Sequence, residues 1–259
     1  MSTAKKQLPR VIPCLLLKGH GLTKSVQFKD FKYVGDAVNA CRIFNEKEVD
    51  ELMFLDIDAS RENKKPRIEF IKEIAGELFM PLGYGGGVTT TQEADLLFAG
   101  GVEKVSINTA AYTNPQLITD IANHYGSQSA IVTVDVRKPL IGGYKLYSNG
   151  GQVPQKVSLL DHLRRMEDAG AGEFVINSID QDGKMSGFDL KLITLVSEAV
   201  SVPVVALGGA GNKQHILDAV QAGASAVAAG SMFVFHGKHR AVLITYPGRR
   251  ELKDLFGIA

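Results

Sequence analysis

The chain has 259 residues, 45% of them hydrophobic and 22% charged, with a formal net charge of +1. That is ample material for a buried core, and it argues against a disordered chain, a polybasic binder of nucleic acid or membrane surfaces, and a membrane span. Cys14 and Cys41 lack metal-type spacing and Met1 to Arg10 lacks a secretion-type apolar stretch, so reduced thiols, a cytoplasmic location, no metal and no cofactor are expected.

Short apolar, β-branched runs alternate with helical patterns along the whole chain. They are Val11 to Leu17, Leu52 to Ile57, Met80 to Tyr84, Val105 to Asn108, Ala130 to Val136, Phe174 to Asn177, Pro203 to Leu207 and Ala226 to Ala229. Strands that read as continuously apolar belong in a parallel sheet covered on both faces. Helix starts are marked by Asp36 before Ala37 to Lys47, by Asn114 with Pro115 following, and by Ser158 before Leu159 to Ala169. Eight such units predict one (βα)8 barrel domain over residues 1–259. Lys138 to Gln155 breaks the rhythm: Gly142, Gly143 and Asn149-Gly150-Gly151 read as a hairpin inserted after strand five, a candidate lid.

A repeat at a constant offset of 122 residues supports the barrel. Pro81, Gly86, Gly87, Gly101, Val105 and Ala110 match Pro203, Gly208, Gly209, Gly223, Val227 and Met232, while Glu51 matches Glu173 and Asp58 matches Asp180. Two copies of a (βα)4 half explain this, whereas a solenoid needs more copies of a shorter period.

In such barrels the loops after the strands build the site, and glycine turns and helix N-termini hold phosphate. Each half supplies two turns: Gly85-Gly86-Gly87 with Asn108-Thr109, and Gly208-Gly209-Ala210-Gly211 with Gly230-Ser231. Two symmetric anion sites imply a ligand with two phosphates; the alternative is that the glycines merely permit tight turns. Asp135 closes strand five in an apolar run, where burial raises a carboxyl toward general-acid use, or else it caps the following loop. Asp56, Asp58 and Asp180 read as loop organisers, and Asp182-Gly183 sits where a second phosphate's backbone donors belong. Strand one ends Cys14-Leu15-Leu16-Leu17-Lys18, with no acid or base until Lys18 and Lys24.

Arg10, Glu51, Lys104 and Glu173 stand just before strands one, two, four and six, and could close a ring of ion pairs across the barrel bottom. Such a ring is a structural plug or a passage, and the plug is commoner on general grounds. His236 and His239, three apart, could share a helical face, but no companion argues for a metal, and solvated or loop-packing histidines are the preferred reading.

Leu52 to Ser60, the glycine turn at 85–87, Lys104 to Ala111, Ser178 to Gly187 and Gly208 to Gly211 resemble the cyclase subunit of imidazole glycerol phosphate synthase over essentially the whole chain. The resemblance implies a (βα)8 barrel that docks a glutaminase at the N-terminal ends of its strands and receives ammonia through its core. Arg10, Glu51, Lys104 and Glu173 match that family's ammonia gate. Gly86, Asn108 and Thr109 match one phosphate site, and Asp182, Gly183, Gly209, Gly230 and Ser231 match the other. Lys24 matches the lysine of the loop that covers the substrate, and Asp135 one of two catalytic aspartates.

The other aspartate position, in a motif the family usually writes Cys-Leu-Asp-Val, is Leu16 here. General acid or base help is worth about 10²–10⁴-fold in rate, or roughly 3–5 kcal/mol. A subgroup with Cys-Leu-Leu in strand one, the run Asn45 to Glu51 and the segment His236 to Arg240 is more similar still. That subgroup is implicated in making acetamidino groups on surface-polysaccharide sugars, together with a glutaminase and a separate sugar amidotransferase. Three readings follow: an ammonia-conducting partner in that synthesis, an ordinary histidine-biosynthesis cyclase, and a non-enzymatic scaffold.

Overall fold

The structure, a computed structural model, describes residues 7–258. Most of the stretch Met1 to Arg10, expected to lack a secretion signal, lies outside the described residues.

Eight strands pair in parallel: β1 (Arg10–Lys18), β2 (Leu52–Asp56), β3 (Leu82–Gly85), β4 (Lys104–Ile107), β5 (Ala130–Arg137), β6 (Glu173–Ser178), β7 (Val204–Leu207) and β8 (Ala226–Ala229). β1 pairs with both β2 and β8, and β5 with both β4 and β6, so the sheet closes on itself as a (βα)8 barrel. Every strand read from the sequence is present, with ends shifted by a residue or two.

The continuous apolar runs are explained by burial on both faces. Outward residues such as Phe54, Val132, Phe174 and Val204 pack against helix residues such as Phe44, Ile71, Leu163 and Ile216. Inward residues Ile12, Met53, Ile131, Val175, Val205 and Ala226 fill the barrel itself. Helix starts follow local capping: Asp36 accepts from Asn39 N–H, Ser158 from Asp161 N–H, and Thr90 forms a reciprocal box with Glu93. The helix after Asn114 begins at Gln116 and has no side-chain cap.

Two hairpins rise from the C-terminal end. Lys145–Ser148 runs antiparallel to β5 and then to Val153–Pro154, which is the hairpin expected between Lys138 and Gln155. The other was not foreseen: Gly21–Val26 runs back along β1 and pairs with Lys29–Asp36. Its turn residues Gln27 and Phe28 take φ of +53° and +64°, a conformation for which the sequence offers no glycine or asparagine. Tertiary bonds compensate, since Gln27 N–H donates to Asp182 O (3.0 Å) and its Nε2 to Asp180 O (3.0 Å).

The repeat is structural as well. β3 and β7, and likewise β4 and β8, occupy spans 122 residues apart. Asn108 (φ −117°, ψ −76°) and Gly230 (φ −112°, ψ −70°) open equivalent short helices, Thr109–Thr113 and Ser231–Val234.

Phe174 is fully buried between barrel and helices. Phe174→Ala should therefore lose about 3–5 kcal/mol of stability, read as a lower urea midpoint at unchanged slope; a loss below about 1 kcal/mol would mean this layer is not close-packed.

Candidate functional site

The C-terminal ends of the strands surround a cavity of about 360 Å³, and every ligand-site residue read from the sequence lines it: Leu16, Lys24, Gly86, Asn108, Thr109, Asp135, Asp182, Gly183, Gly209, Gly230 and Ser231. The glycines are required by close approach as well as by turn geometry. At Gly86 (φ +139°) a Cβ would fall 2.7 Å from Asp56 O, and at Gly209 (φ +117°) 2.1 Å from Gly187 O. A side chain at either position would collide with the backbone of a neighbouring loop, so glycine lets these turns pack closely at the cavity wall.

Asp135 sits at the cavity floor, 7% exposed. Asn177 Nδ2 donates to its Oδ1 (2.9 Å) and Asn108 Nδ2 lies 3.3 Å from its Oδ2. Burial pushes its carboxyl up to about 7, against the Asn177 bond that favours the charged form; Asp182 raises it further and Arg61 lowers it. No ion pair to Asp135 forms among the described residues. Beneath it the Ser106 and Thr133 hydroxyls meet at 2.5 Å.

Strand register shows how the two halves differ. Ile107 lies beside Val132, and its repeat mate Ala229 lies beside Pro13, so Val132 corresponds to Pro13 and Asp135 to Leu16. By the same operation Thr133 corresponds to Cys14, Ser106 to Ala228, Asn177 to Leu55 and Asn108 to Gly230. One wall of the floor is thus polar and its mate apolar, a division invisible until the register placed these residues on one interior surface.

Lys24 supplies the apolar wall's cation. It reaches in from the unforeseen hairpin, is buried, and donates from Nζ to Cys14 O (2.6 Å), the bond that mirrors Asn108 Nδ2 to Thr133 O (2.9 Å). Nζ occupies the space of the absent Gly230 side chain, 2.1 Å from where a Cβ would stand. Burial lowers its pKa, partly offset by Cys14 and Asp182. Asp182 accepts from Ser25 Oγ (2.9 Å), and burial raises its carboxyl. Arg61, which sequence reasoning missed, donates to Gly150 O (2.8 Å) and ties the second hairpin to the loop after β2. Nothing in the one-dimensional pattern marked it.

At the opposite end the four charged residues meet. Arg10 bonds both Glu51 and Glu173, and Lys104 Nζ lies 2.8 Å from Glu51 and 3.4 Å from Glu173. Burial alone would lower the Arg10 pKa, but the Glu173 and Glu51 carboxylates hold it above its ordinary value. The carboxylates are almost fully buried, so each charge depends on the others.

Asp56 and Asp180 organise their loops through their carboxylates, whereas Asp58 contributes only backbone groups to the hydrogen bonds among the described residues. Asp56 accepts from Asp58 and Ala59 N–H and pairs with Arg67, and Asp180 accepts from Lys138 N–H. The shared helical face suggested for His236 and His239 is corrected. The helix Ser231–Val234 ends before them, His236 lies in a short strand, and Gly237 at φ +70° turns the chain. No group of three metal-ligating side chains is found among the described residues, and no helix among them is long and apolar enough to cross a membrane.

Comparison with known proteins agrees with this geometry. The profile of the histidine biosynthesis protein family matches residues 10–240. A protein of Pseudomonas aeruginosa provisionally named imidazole glycerol phosphate synthase subunit hisF2 is 55% identical, covering 94% of this chain and 97% of its own. One from Vibrio vulnificus, provisionally named subunit hisF3, is 46% identical over 94% and 95% of the two chains. The imidazole glycerol phosphate synthase subunit HisF of Thermobifida fusca is 42% identical over 87% and 90%. The chain belongs to the histidine biosynthesis protein family, as a barrel subunit of the imidazole glycerol phosphate synthase type.

Proposed function

We propose that this barrel is the ammonia-conducting subunit of a glutamine-dependent complex. A glutaminase docks at the N-terminal ends of the strands, and a phosphorylated ligand lies in the cavity at the other end. In this reading the complex serves acetamidino sugar synthesis for surface polysaccharide, with the amidation carried out by a separate sugar amidotransferase.

The observation that carries the reading is Leu16, which lines the cavity at the repeat mate of Asp135. Ring closure by two carboxyls needs a proton donor or acceptor on each wall, and a hydrocarbon supplies neither. The ammonia path is supported by the barrel's two ends and what lies between. Arg10, Glu51, Lys104 and Glu173 form a neutral quartet of paired charges at the N-terminal end. Above it lies an apolar layer of Ile12, Met53, Val175 and Val205, which a neutral molecule crosses far more readily than an ion. Gly86, Asn108 and Thr109 on one side, and Asp182, Gly183, Gly209, Gly230 and Ser231 on the other, with Lys24 reaching in beside Gly230, are the groups for a two-phosphate ligand. Retention of Asp135 and both turn pairs favours the second reading, a cyclase making imidazole glycerol phosphate for histidine. The third, a scaffold, treats the quartet as an inert plug.

With a glutaminase captured from the native host by the tagged chain, the barrel should stimulate glutamine hydrolysis, and Lys104→Ala should change that coupling by about five-fold or more. Unchanged coupling in Lys104→Ala would overturn conduction through the quartet and leave the scaffold. Asp135 yields a second expectation. Its folded carboxyl titrates near 7 against an ordinary 3.8, so between about pH 4 and pH 7 the folded state binds more protons and stability falls as pH rises. Asp135→Asn removes this slope: relative to wild type its unfolding midpoint should climb across that window and level off above it. A constant difference from pH 4 to pH 8 would show that the carboxyl is not perturbed.

A further inference from the structure

We infer that Asp135, Asn177 and Thr133 form a holding site for an ammonium ion at the inner end of the cavity, where the barrel interior opens toward the ligand. The inference rests on the proposed ammonia path and says what happens to the nucleophile on arrival.

The first ground is an unspent acceptor. The Asn177 amide turns its Nδ2 to Asp135, which leaves its Oδ1 buried with no hydrogen-bond partner among the described residues. Asn177 is 5% exposed and lines the cavity, and its Oδ1 lies 3.0 Å from where a Cβ on Gly208, another cavity residue, would stand. A buried amide oxygen left unpaired is destabilising, so its presence points to a donor that arrives with a ligand. Because one amide carries both groups, this oxygen lies within a single small ion's span of the Asp135 carboxylate.

The second ground is charge. Asp135 is a buried carboxylate met by amide donors and by no ion-paired cation. Arg61, from the loop after β2, acts on it at longer range, and Asp182, from the loop after β6, opposes it. Buried carboxylates are tolerated when neutralised by a proton or a cation. Both carboxylate oxygens keep lone pairs after accepting from Asn177 and Asn108, and the Thr133 hydroxyl, paired with Ser106, offers a further acceptor just below. The set is made of oxygens that accept hydrogen bonds, which suits a small cation carrying N–H donors. The repeat mates Leu16, Leu55 and Cys14 offer no such set, so holding is confined to one wall.

The proton balance closes without a co-reactant. Neutral ammonia reaching the floor takes the proton of the Asp135 carboxyl: an O–H bond breaks, an N–H bond forms, and an ammonium–carboxylate pair remains. When an acceptor arrives the ammonium returns that proton to Asp135 and its lone pair is free to attack. The site prevents escape of the nucleophile in the interval.

The test uses the isolated chain with aspartate carboxyl carbons labelled with 13C. The Asp135 signal is titrated against pH in ammonium, potassium and tetramethylammonium chloride at equal ionic strength. Ammonium at ten times its dissociation constant should lower the Asp135 midpoint by about one pH unit, potassium by much less, and tetramethylammonium not at all. Asn177→Leu should weaken the ammonium response and Asn177→Thr, which keeps an acceptor, should retain it. Equal midpoints in the three salts, or an ammonium response that Asn177→Leu leaves intact, would overturn the site. If Asn177→Leu does not fold, the salt comparison on the wild-type chain decides alone. Because no glutaminase is present, failure here is separable from failure of conduction, which the Lys104→Ala coupling reads.

Discussion

A carboxylate taken out of water beside amide donors alone carries a desolvation penalty of several kcal/mol, and the floor of this barrel is arranged around that penalty at Asp135. Asn177 and Asn108 hold the carboxylate in place without neutralising it. The wall that could have carried a second acid carries Leu16 and Leu55 instead. The consequence is a group that sits near the midpoint of its titration at neutral pH and accepts or returns a proton readily. A second carboxyl at Leu16 would have made the floor symmetric in charge, as the repeat makes it symmetric in backbone.

The repeat makes that contrast legible. Backbone geometry is duplicated closely, down to the dihedral angles of Asn108 and Gly230 and the matched carbonyl caps on Thr133 and Cys14. On the cavity floor the side chains diverge: an amide caps one carbonyl and a lysine reaching in from a hairpin caps the other. At the far end both halves cooperate again, since Glu51 and Glu173 are repeat mates and share the same two cations. The glycine turns and the Glu51–Glu173 pair thus follow the duplicated fold, while the polar floor is confined to one half.

Much of this was legible in the sequence because it was written in residue types whose physics is local. Continuous apolar runs mark strands buried on both faces, glycines at a fixed offset mark backbone turns, and charged residues just before strands mark the barrel bottom. The hairpin from Gly21 to Asp36 was not legible: its turn at Gln27 and Phe28 is stabilised by Asp180 and Asp182, over 150 positions away, rather than by its own residues. Ser106, Thr133 and Asn177 read as ordinary strand residues, and only the register of β4, β5 and β6 gathers them around Asp135. His236 and His239 are exposed, as solvated histidines should be, and the glycine between them removes the helical face that their spacing allowed.

Position 16 holds a hydrocarbon where ring closure by two carboxyls would need the second one, and the rate of ring formation measures the consequence directly. Purified chain and its Leu16→Asp variant would be given the phosphoribulosyl formimino aminoimidazole carboxamide ribotide with excess ammonium, and imidazole glycerol phosphate followed over time. Negligible product from the wild type, with a gain in the variant, is the expected outcome. Rapid product from the wild type, slowed by Asp135→Asn, would show that one carboxyl suffices and that the barrel is a working cyclase.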